Sequence, residues 1–181
     1  NGEIFNYVEL RSELRELGYQ FRSSGDSEVL LAAYREWGRN CLAKLNGMWA
    51  FVIFDRRRRC LFGSRDRFGV KPLYVSRVGD VVQFASEIKA LRASGYVKAG
   101  INWTTAARFL TEGRLDSQRE TFYDGIEQIP PGSGFEVGLD GVWQQWSFWS
   151  LDRLPPSLVE NPAERFADLF EDSVRIRMRS D

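Results

Sequence analysis

Histidine is absent from the 181 residues, and cysteine occurs only at Cys41 and Cys60. Chemistry that depends on imidazole is excluded within this stretch: a Ser-His-Asp triad, a Cys-His dyad and a histidine-bearing zinc site. The two cysteines show no metal-ligand spacing, so no metal site is expected. A surplus of charge is also lacking, with 25 Lys and Arg against 25 Asp and Glu. Nothing in that balance favours a nucleic acid or an anionic membrane as partner. No apolar run approaches the length that spans a bilayer, and no signal-peptide core is visible. An initiator Met is missing from the first position.

What is present is ample for a packed core. Hydrophobic residues make up 43% and aromatic residues 14% of the chain. The length suits one domain, or one domain and part of a second. Unpaired cysteines without metal spacing make a reducing, cytoplasmic setting the default.

The chain opens on Asn1-Gly2, a strong turn dipeptide, because both residues tolerate positive φ. An Asn carboxamide and an accessible Gly N–H are also two donors able to hold negative charge on an oxygen. Asn6 then reads as the N-cap of a helix, with Glu9 as capping-box partner. Tyr7, Leu10, Leu14 and Leu17 form its apolar stripe, and Gly18 ends it. Tyr19 to Arg22 reads as a short strand. A loop from Ser23 to Glu28 leads into a second helix with Val29, Leu30, Ala33, Tyr34 and Trp37 on its buried face. Asp26 stands at the mouth of that helix, either as an N-cap carboxylate or as a ligand for a substrate ammonium group.

Cys41, Leu42 and Leu45 suggest one further helical turn. Met48 to Phe54 is apolar at every position, which predicts a strand buried on both faces. Asp55 to Arg59 turns the chain back into Cys60-Leu61-Phe62-Gly63, and so short a turn requires antiparallel pairing. A sheet covered on both sides means a layered sandwich. The four arginines Arg56 to Arg59 read as a solvated hairpin tip. Arg65, Asp66 and Arg67 can form an ion-pair cluster, Gly69 permits a sharp turn and Pro72 fixes the start of the next strand. The alternative for this Arg65–Lys71 stretch is a loop held rigid beside a site or a domain interface.

Further hairpins are predicted around Arg77–Asp80 and around Leu139-Asp140-Gly141. Helices are predicted from Ser86 and, capped by Asn102 or Thr104, up to Gly113. Ile129-Pro130-Pro131-Gly132 is a rigid bend. Trp143, Trp146, Phe148 and Trp149 read as packing residues. Residues 151–161, with Pro155 and Pro156, read as an interdomain linker. Asn161-Pro162-Ala163-Glu164 is a strong helix start. The helix that follows carries Phe166, Leu169, Phe170, Val174 and Met178, a stripe without a partner later in the chain.

Five segments together carry a family resemblance. They are Asn1–Tyr7, Ser24–Val29, Leu45–Phe51, Arg65–Tyr74 and Phe84–Leu91, followed by Thr121–Ile126 and Ile129–Gly132. In this order they resemble the class II glutamine amidotransferase domain of glutamine-hydrolysing asparagine synthetases. The resemblance implies an α+β fold, the N-terminal-nucleophile α/β/β/α sandwich of two antiparallel sheets between helices. It implies a domain over 1–150, a linker over 151–161 and the start of a synthetase domain over 162–181.

The implied reaction uses an N-terminal Cys whose own α-amino group acts as base, a device that needs no histidine. That Cys attacks the glutamine side-chain amide and releases ammonia for ATP-dependent amidation of aspartate. Asn1 and Gly2 match the oxyanion hole. Together with Glu3 and Asp26 they match the glutamine-binding positions, Glu3 and Asp26 at the α-amino end. Arg65, Asp66 and Lys71 are expected to form a supporting loop. Neither Cys41 nor Cys60 matches the nucleophile, and the arginine that pairs with the glutamine carboxylate has no counterpart. The chain is therefore expected to be truncated at both ends and inactive alone.

No cofactor is expected on these residues; ATP and Mg2+ belong to the missing synthetase domain, as does aspartate. Expected partners are small molecules, L-glutamine first, with no nucleic acid and no membrane; the family resemblance implies a homodimer. Two other functions fit the same residues. One is an asparagine-synthetase-like amidotransferase with a different acceptor. The other is a non-catalytic, amidotransferase-like interaction domain.

Overall fold

A computed structural model describes residues 1–98, 100–113, 119–153 and 160–179. The strands are β1 (Gly2–Ile4), β2 (Gly47–Asp55), β3 (Cys60–Arg65), β4 (Tyr74–Val78), β5 (Val81–Ala85), β6 (Ile126–Gln128), β7 (Ser133–Gly138) and β8 (Trp143–Ser147). The helices are α1 (Tyr7–Glu16), α2 (Asp26–Trp37), α3 (Cys41–Lys44), α4 (Ile88–Ala93), α5 (Trp103–Glu112) and α6 (Pro162–Arg177). They divide into two compact units, one of residues 1–2 and 48–148, the other of residues 3–47 and 149–181.

The strands form two antiparallel sheets. One runs in the order β1-β2-β3-β7-β8 and the other β5-β4-β6. The hairpin predicted from the short Asp55–Arg59 turn pairs Asp55 with Cys60 and Ala50 with Arg65. Asp55 Oδ1 accepts the N–H groups of Arg57 and Arg58 at 2.9 and 3.0 Å, which closes the turn. The sheets face each other across one apolar layer of Ala50, Leu73, Val75, Ile129, Phe135 and Val137. Phe84, Phe135 and Trp143 stack through this layer with ring centroids 4.8 to 6.2 Å apart. On the far face of the small sheet, Leu91 of α4 packs with Val97 and Ile126. The layered α+β sandwich expected from the sequence is thus the fold of this chain.

Residues 129–132 form the rigid bend predicted for Ile-Pro-Pro-Gly and carry the chain from the small sheet to the large one. Asn102 is the cap of α5, its Oδ1 accepting the Thr105 N–H at 3.1 Å, and Gly113 closes that helix in the left-handed region.

In the second unit α1 packs on α2 and α2 on α3. Leu10, Leu14, Val29, Ala33, Cys41, Leu42 and Leu45 are buried there. Ile176 of α6 is buried as well, and Arg179 donates to both carboxylate oxygens of Glu9 at 2.6 Å. That guanidinium holds the Glu9 carboxyl below its usual range. Phe166, Leu169, Phe170 and Val174 of α6, and Met178 just after it, are exposed, the apolar stripe seen in the sequence.

Several local expectations are corrected. Asn6 holds the N-cap position of α1 as expected but makes no side-chain cap: its amide donates to Lys44 O and accepts from the Asn46 N–H, which ties the chain to the end of α3. Tyr19–Arg22 is not a strand, because the N–H groups of Arg22 and Ser23 are taken by the Glu28 carboxylate at 2.8 to 3.0 Å. Leu17 falls outside the buried stripe of α1. β2 is buried at Trp49 and Ala50, but burial fades toward the hairpin and Phe54 is 53% exposed. Asn161 adopts a left-handed backbone and makes no side-chain cap. The linker prolines Pro155 and Pro156 lie outside the described residues. Among the described residues no helix is long and apolar enough to cross a membrane.

Candidate active site

The Asn1-Gly2 stretch is not a tight turn. Gly2 is the first residue of β1, and Asn1 extends the strand by pairing with Ala50 in both directions. The Asn1 nitrogen donates to Ala50 O at 3.1 Å, and the Ala50 N–H donates to Asn1 O at 2.8 Å. Glycine is required at position 2 for close approach. Its φ is +142°, and a Cβ there would stand 2.2 Å from Met48 O and 2.7 Å from Trp49 Cα. The backbone is thus pinned while Asn1 and Gly2 stay exposed. The Asn1 carboxamide donates to Ser86 Oγ at 3.5 Å, a long contact that orients the amide. An exposed amide on a fixed strand edge is suited to stabilising charge on a substrate oxygen, because its donors need no reorganisation.

Trp49, against which Gly2 lies, is fixed from all sides. Its N–H donates to Asp66 Oδ2 at 3.2 Å, and its carbonyl accepts the Asp66 N–H at 2.9 Å. Its indole N–H donates to Ser64 Oγ at 3.1 Å, and Ser64 Oγ in turn donates to Ser133 O. Asp66 is buried, and its carboxylate also accepts from Phe68, Val70 and Lys71 main-chain N–H groups, each at 3.0 Å. Arg65 is buried too. Its guanidinium donates to the carbonyls of Lys71, Gly69 and Ile129 and to Gln128 Oε1. The side-chain bonds of this stretch run mainly to main-chain atoms. Its charged side chains grip the backbone instead of forming a surface ion-pair network, and Lys71 joins through its main chain. Arg67 lies over the Trp49 and Phe148 rings at 5.9 and 6.0 Å, and that burial pulls its pKa down.

Glu3 and Asp26 belong to the second unit. Asp26 is the first residue of α2, and Gly25 holds the N-cap position, so Asp26 is not the N-cap. Its Oδ2 accepts the Ile4 N–H at 2.8 Å, and Oδ1 accepts from Ser27 Oγ at 3.2 Å. Asp26 is half-buried, and the favourable field of the helix N-terminus acts on its charge. Glu3, also half-buried, precedes the residue that Asp26 holds. The structure therefore groups Asn1 and Gly2 with Asp66 and Lys71 around Trp49, and Glu3 with Asp26 around Ile4.

Cys41 and Cys60 are both buried and free. Burial pushes the Cys41 thiol up to about 12, and the Cys60 thiol rises for the same reason. A thiol must ionise to act as nucleophile, and these environments oppose it. Among the described residues no three His, Cys, Asp or Glu side chains cluster as ligands for a metal ion.

The supporting roles of Trp49, Ala50 and Ser86 were missed in the sequence. Each lies in a segment singled out there, Leu45–Phe51 or Phe84–Leu91, but register against Asn1 is a tertiary property that spacing does not encode.

The family model of the glutamine amidotransferase domain matches residues 1–149. The chain belongs to this family. Asparagine synthetase [glutamine-hydrolyzing] 3 of Bacillus subtilis is 36% identical over 174 residues, covering 96% of this chain and 26% of that protein. The B. subtilis asparagine synthetase 1 is 36% identical over 187 residues, covering 100% and 28%. Amidase chry2 of Gibberella zeae is 28% identical over 190 residues, covering 100% and 27%. The chain thus spans about a quarter of the length of the curated relatives it matches. Among solved structures, the glutamine phosphoribosylpyrophosphate amidotransferase of B. subtilis superposes with a TM-score of 0.60 at 23% identity, over 82% of this chain and 28% of that one. That likeness carries the fold alone, the layered sandwich of two sheets with helices.

Proposed function

We propose that this chain is the glutaminase part of a glutamine-hydrolysing asparagine synthetase. In this reading residues 1–150 are the amidotransferase domain, 151–161 a linker and 162–181 the start of the synthetase domain. The observation that carries the glutaminase role is the pinned Asn1–Gly2 edge. Asn1 is held in both directions by Ala50, and Gly2 sits where no other residue fits, while both remain exposed. The Asn1 carboxamide and the Gly2 N–H would donate to the amide oxygen of glutamine as its carbon becomes tetrahedral. The arrangement stabilises the oxyanion more than the planar substrate, which is the requirement for catalysis. In the second unit, Glu3 and Asp26 would hold an α-ammonium group, carboxylate charge facing ammonium charge.

The nucleophile is supplied by neither cysteine of this chain, since burial keeps Cys41 and Cys60 as thiols. The 181 residues alone are therefore inactive on glutamine. ATP, Mg2+ and aspartate act in the synthetase portion, and α6 with its exposed Phe166, Leu169 and Phe170 is suited to begin that domain. A cytoplasmic setting and a homodimer complete the proposal.

The purified full-length gene product, given aspartate, ATP, Mg2+ and glutamine, is expected to form asparagine and glutamate in step. Free ammonia should replace glutamine as nitrogen source. Absence of glutaminase activity in that protein would overturn the proposal. Glutamate release without asparagine would transfer the nitrogen to another acceptor, a second reading that the similarity to an amidase favours.

A further inference from the structure

The Asp66 carboxylate touches no part of the proposed oxyanion hole, yet it stands one residue removed from it. A carboxylate offers about four lone-pair positions. Here Oδ1 takes the N–H groups of Phe68 and Val70, and Oδ2 takes those of Trp49 and Lys71. Three of these donors lie in one loop and the fourth lies in β2. The carboxylate is thus a rivet between the loop and the strand. The Asp66 main chain strengthens it, its N–H donating to Trp49 O and its carbonyl accepting from Gly69 and Gly132.

The strand side of that rivet is the surface on which Asn1 and Gly2 rest. Met48 O and Trp49 Cα are the backbone atoms that leave Gly2 no room for a side chain, and Ala50 exchanges both hydrogen bonds with Asn1. Displacement of Trp49 moves both donors. Oxyanion donors act only within about 2.7–3.1 Å of the developing charge. A misplacement of about 1 Å can cost on the order of a hundredfold in rate.

We propose that Asp66 is a positioning residue for the glutaminase step, which it serves by fixing Trp49 and thereby the Asn1–Gly2 edge. This inference rests on the glutaminase function proposed above and adds a residue that acts through the main chain of β2.

The test uses the full-length gene product and measures glutamate release at saturating glutamine. Asp66→Ala should lower kcat by about tenfold to a hundredfold. KM for glutamine should stay within about twofold, the pattern for an interaction made only in the transition state. Ammonia-dependent synthesis should persist. Val75→Ala, a cavity variant in the layer between the sheets, serves as the stability control. At an equal loss of Tm it should retain the wild-type kcat. Should Asp66→Ala not fold, Asp66→Asn, which keeps one acceptor oxygen, is measured in the same way. The double variant Asn1→Ala/Asp66→Ala should lose less than the product of the single losses, because both act on one element.

An unchanged kcat, an equal loss in Val75→Ala, or fully multiplicative losses in the double variant would each overturn the positioning role. A wild-type protein without glutaminase activity overturns this inference and the proposed function together. An active wild type, sensitive to Asn1→Ala and indifferent to Asp66→Ala, overturns the positioning role alone.

Discussion

At the scale of single residues, Asn1 and Gly2 do different work. Asn1 contributes an exposed carboxamide, and Gly2 contributes the absence of a side chain. Replacing Asn1 by Ala in the full-length protein should lower glutaminase kcat by about a hundredfold, near 3 kcal/mol of transition-state stabilisation. Activity with free ammonia should survive; an equal loss of both would make Asn1 a structural residue only. Gly2→Ala is expected to destabilise by about 2–4 kcal/mol, read from the shift of the denaturant midpoint. A φ of +142° is closed to Ala, and the clash with Met48 O involves backbone that cannot rotate away. Of the two readings the sequence offered for this dipeptide, the tight turn is the one the strand overturns. Asn-Gly is compatible with a turn, and nothing local reveals that β2 lies 2.2 Å from where a Cβ would be. The Arg65–Lys71 stretch shows the same limit. Its charges suggested ion pairs with one another, whereas burial sends Arg65 and Asp66 to main-chain partners seen only in three dimensions.

Individual elements were more legible where period and capping agree. The β2–β3, β4–β5 and β7–β8 hairpins follow from short turns between apolar runs, and α5 follows from Asn102 and Gly113. The Tyr19–Arg22 segment failed because a side chain competed for its backbone. Glu28, in the first turn of α2, reaches back to the N–H groups of Arg22 and Ser23 and to Ser23 Oγ. Those bonds hold the Glu28 carboxyl below its ordinary value of 4.5. A depressed carboxyl adds stability in full above the ordinary value, and that stability is lost as pH falls through the lowered one. Glu28→Gln should therefore lower the urea midpoint at neutral pH. The difference from wild type should shrink as pH drops below the ordinary carboxylate range. A difference constant across pH would show that Glu28 holds this segment without its charge.

At the scale of the whole molecule, the layered sandwich was legible from the apolar run of β2, although only Trp49 and Ala50 of that strand are fully buried. Division into two compact units was not, since the boundary runs through β1 and β2 and leaves no mark in composition. The pure 181-residue chain is expected to release no glutamate from glutamine above a blank in a coupled assay. In the full-length protein, Cys41→Ala with Cys60→Ala should leave glutaminase activity unchanged. Loss of activity in that variant would return the nucleophile to one of these two residues. The pairing of β3 with β7 has a bearing on biosynthesis. Arg65 faces Ser133 and Cys60 faces Gly138, so the inner edge of β3 meets its neighbour only after about 70 further residues. At the ribosome's usual pace of about 5–20 residues per second, that edge waits roughly 4–14 s. During this interval the nascent chain presents an open strand, which carries Leu61 and Phe62, to other nascent chains and to chaperones. Translation speed between β3 and β7 thereby becomes a determinant of how much protein folds.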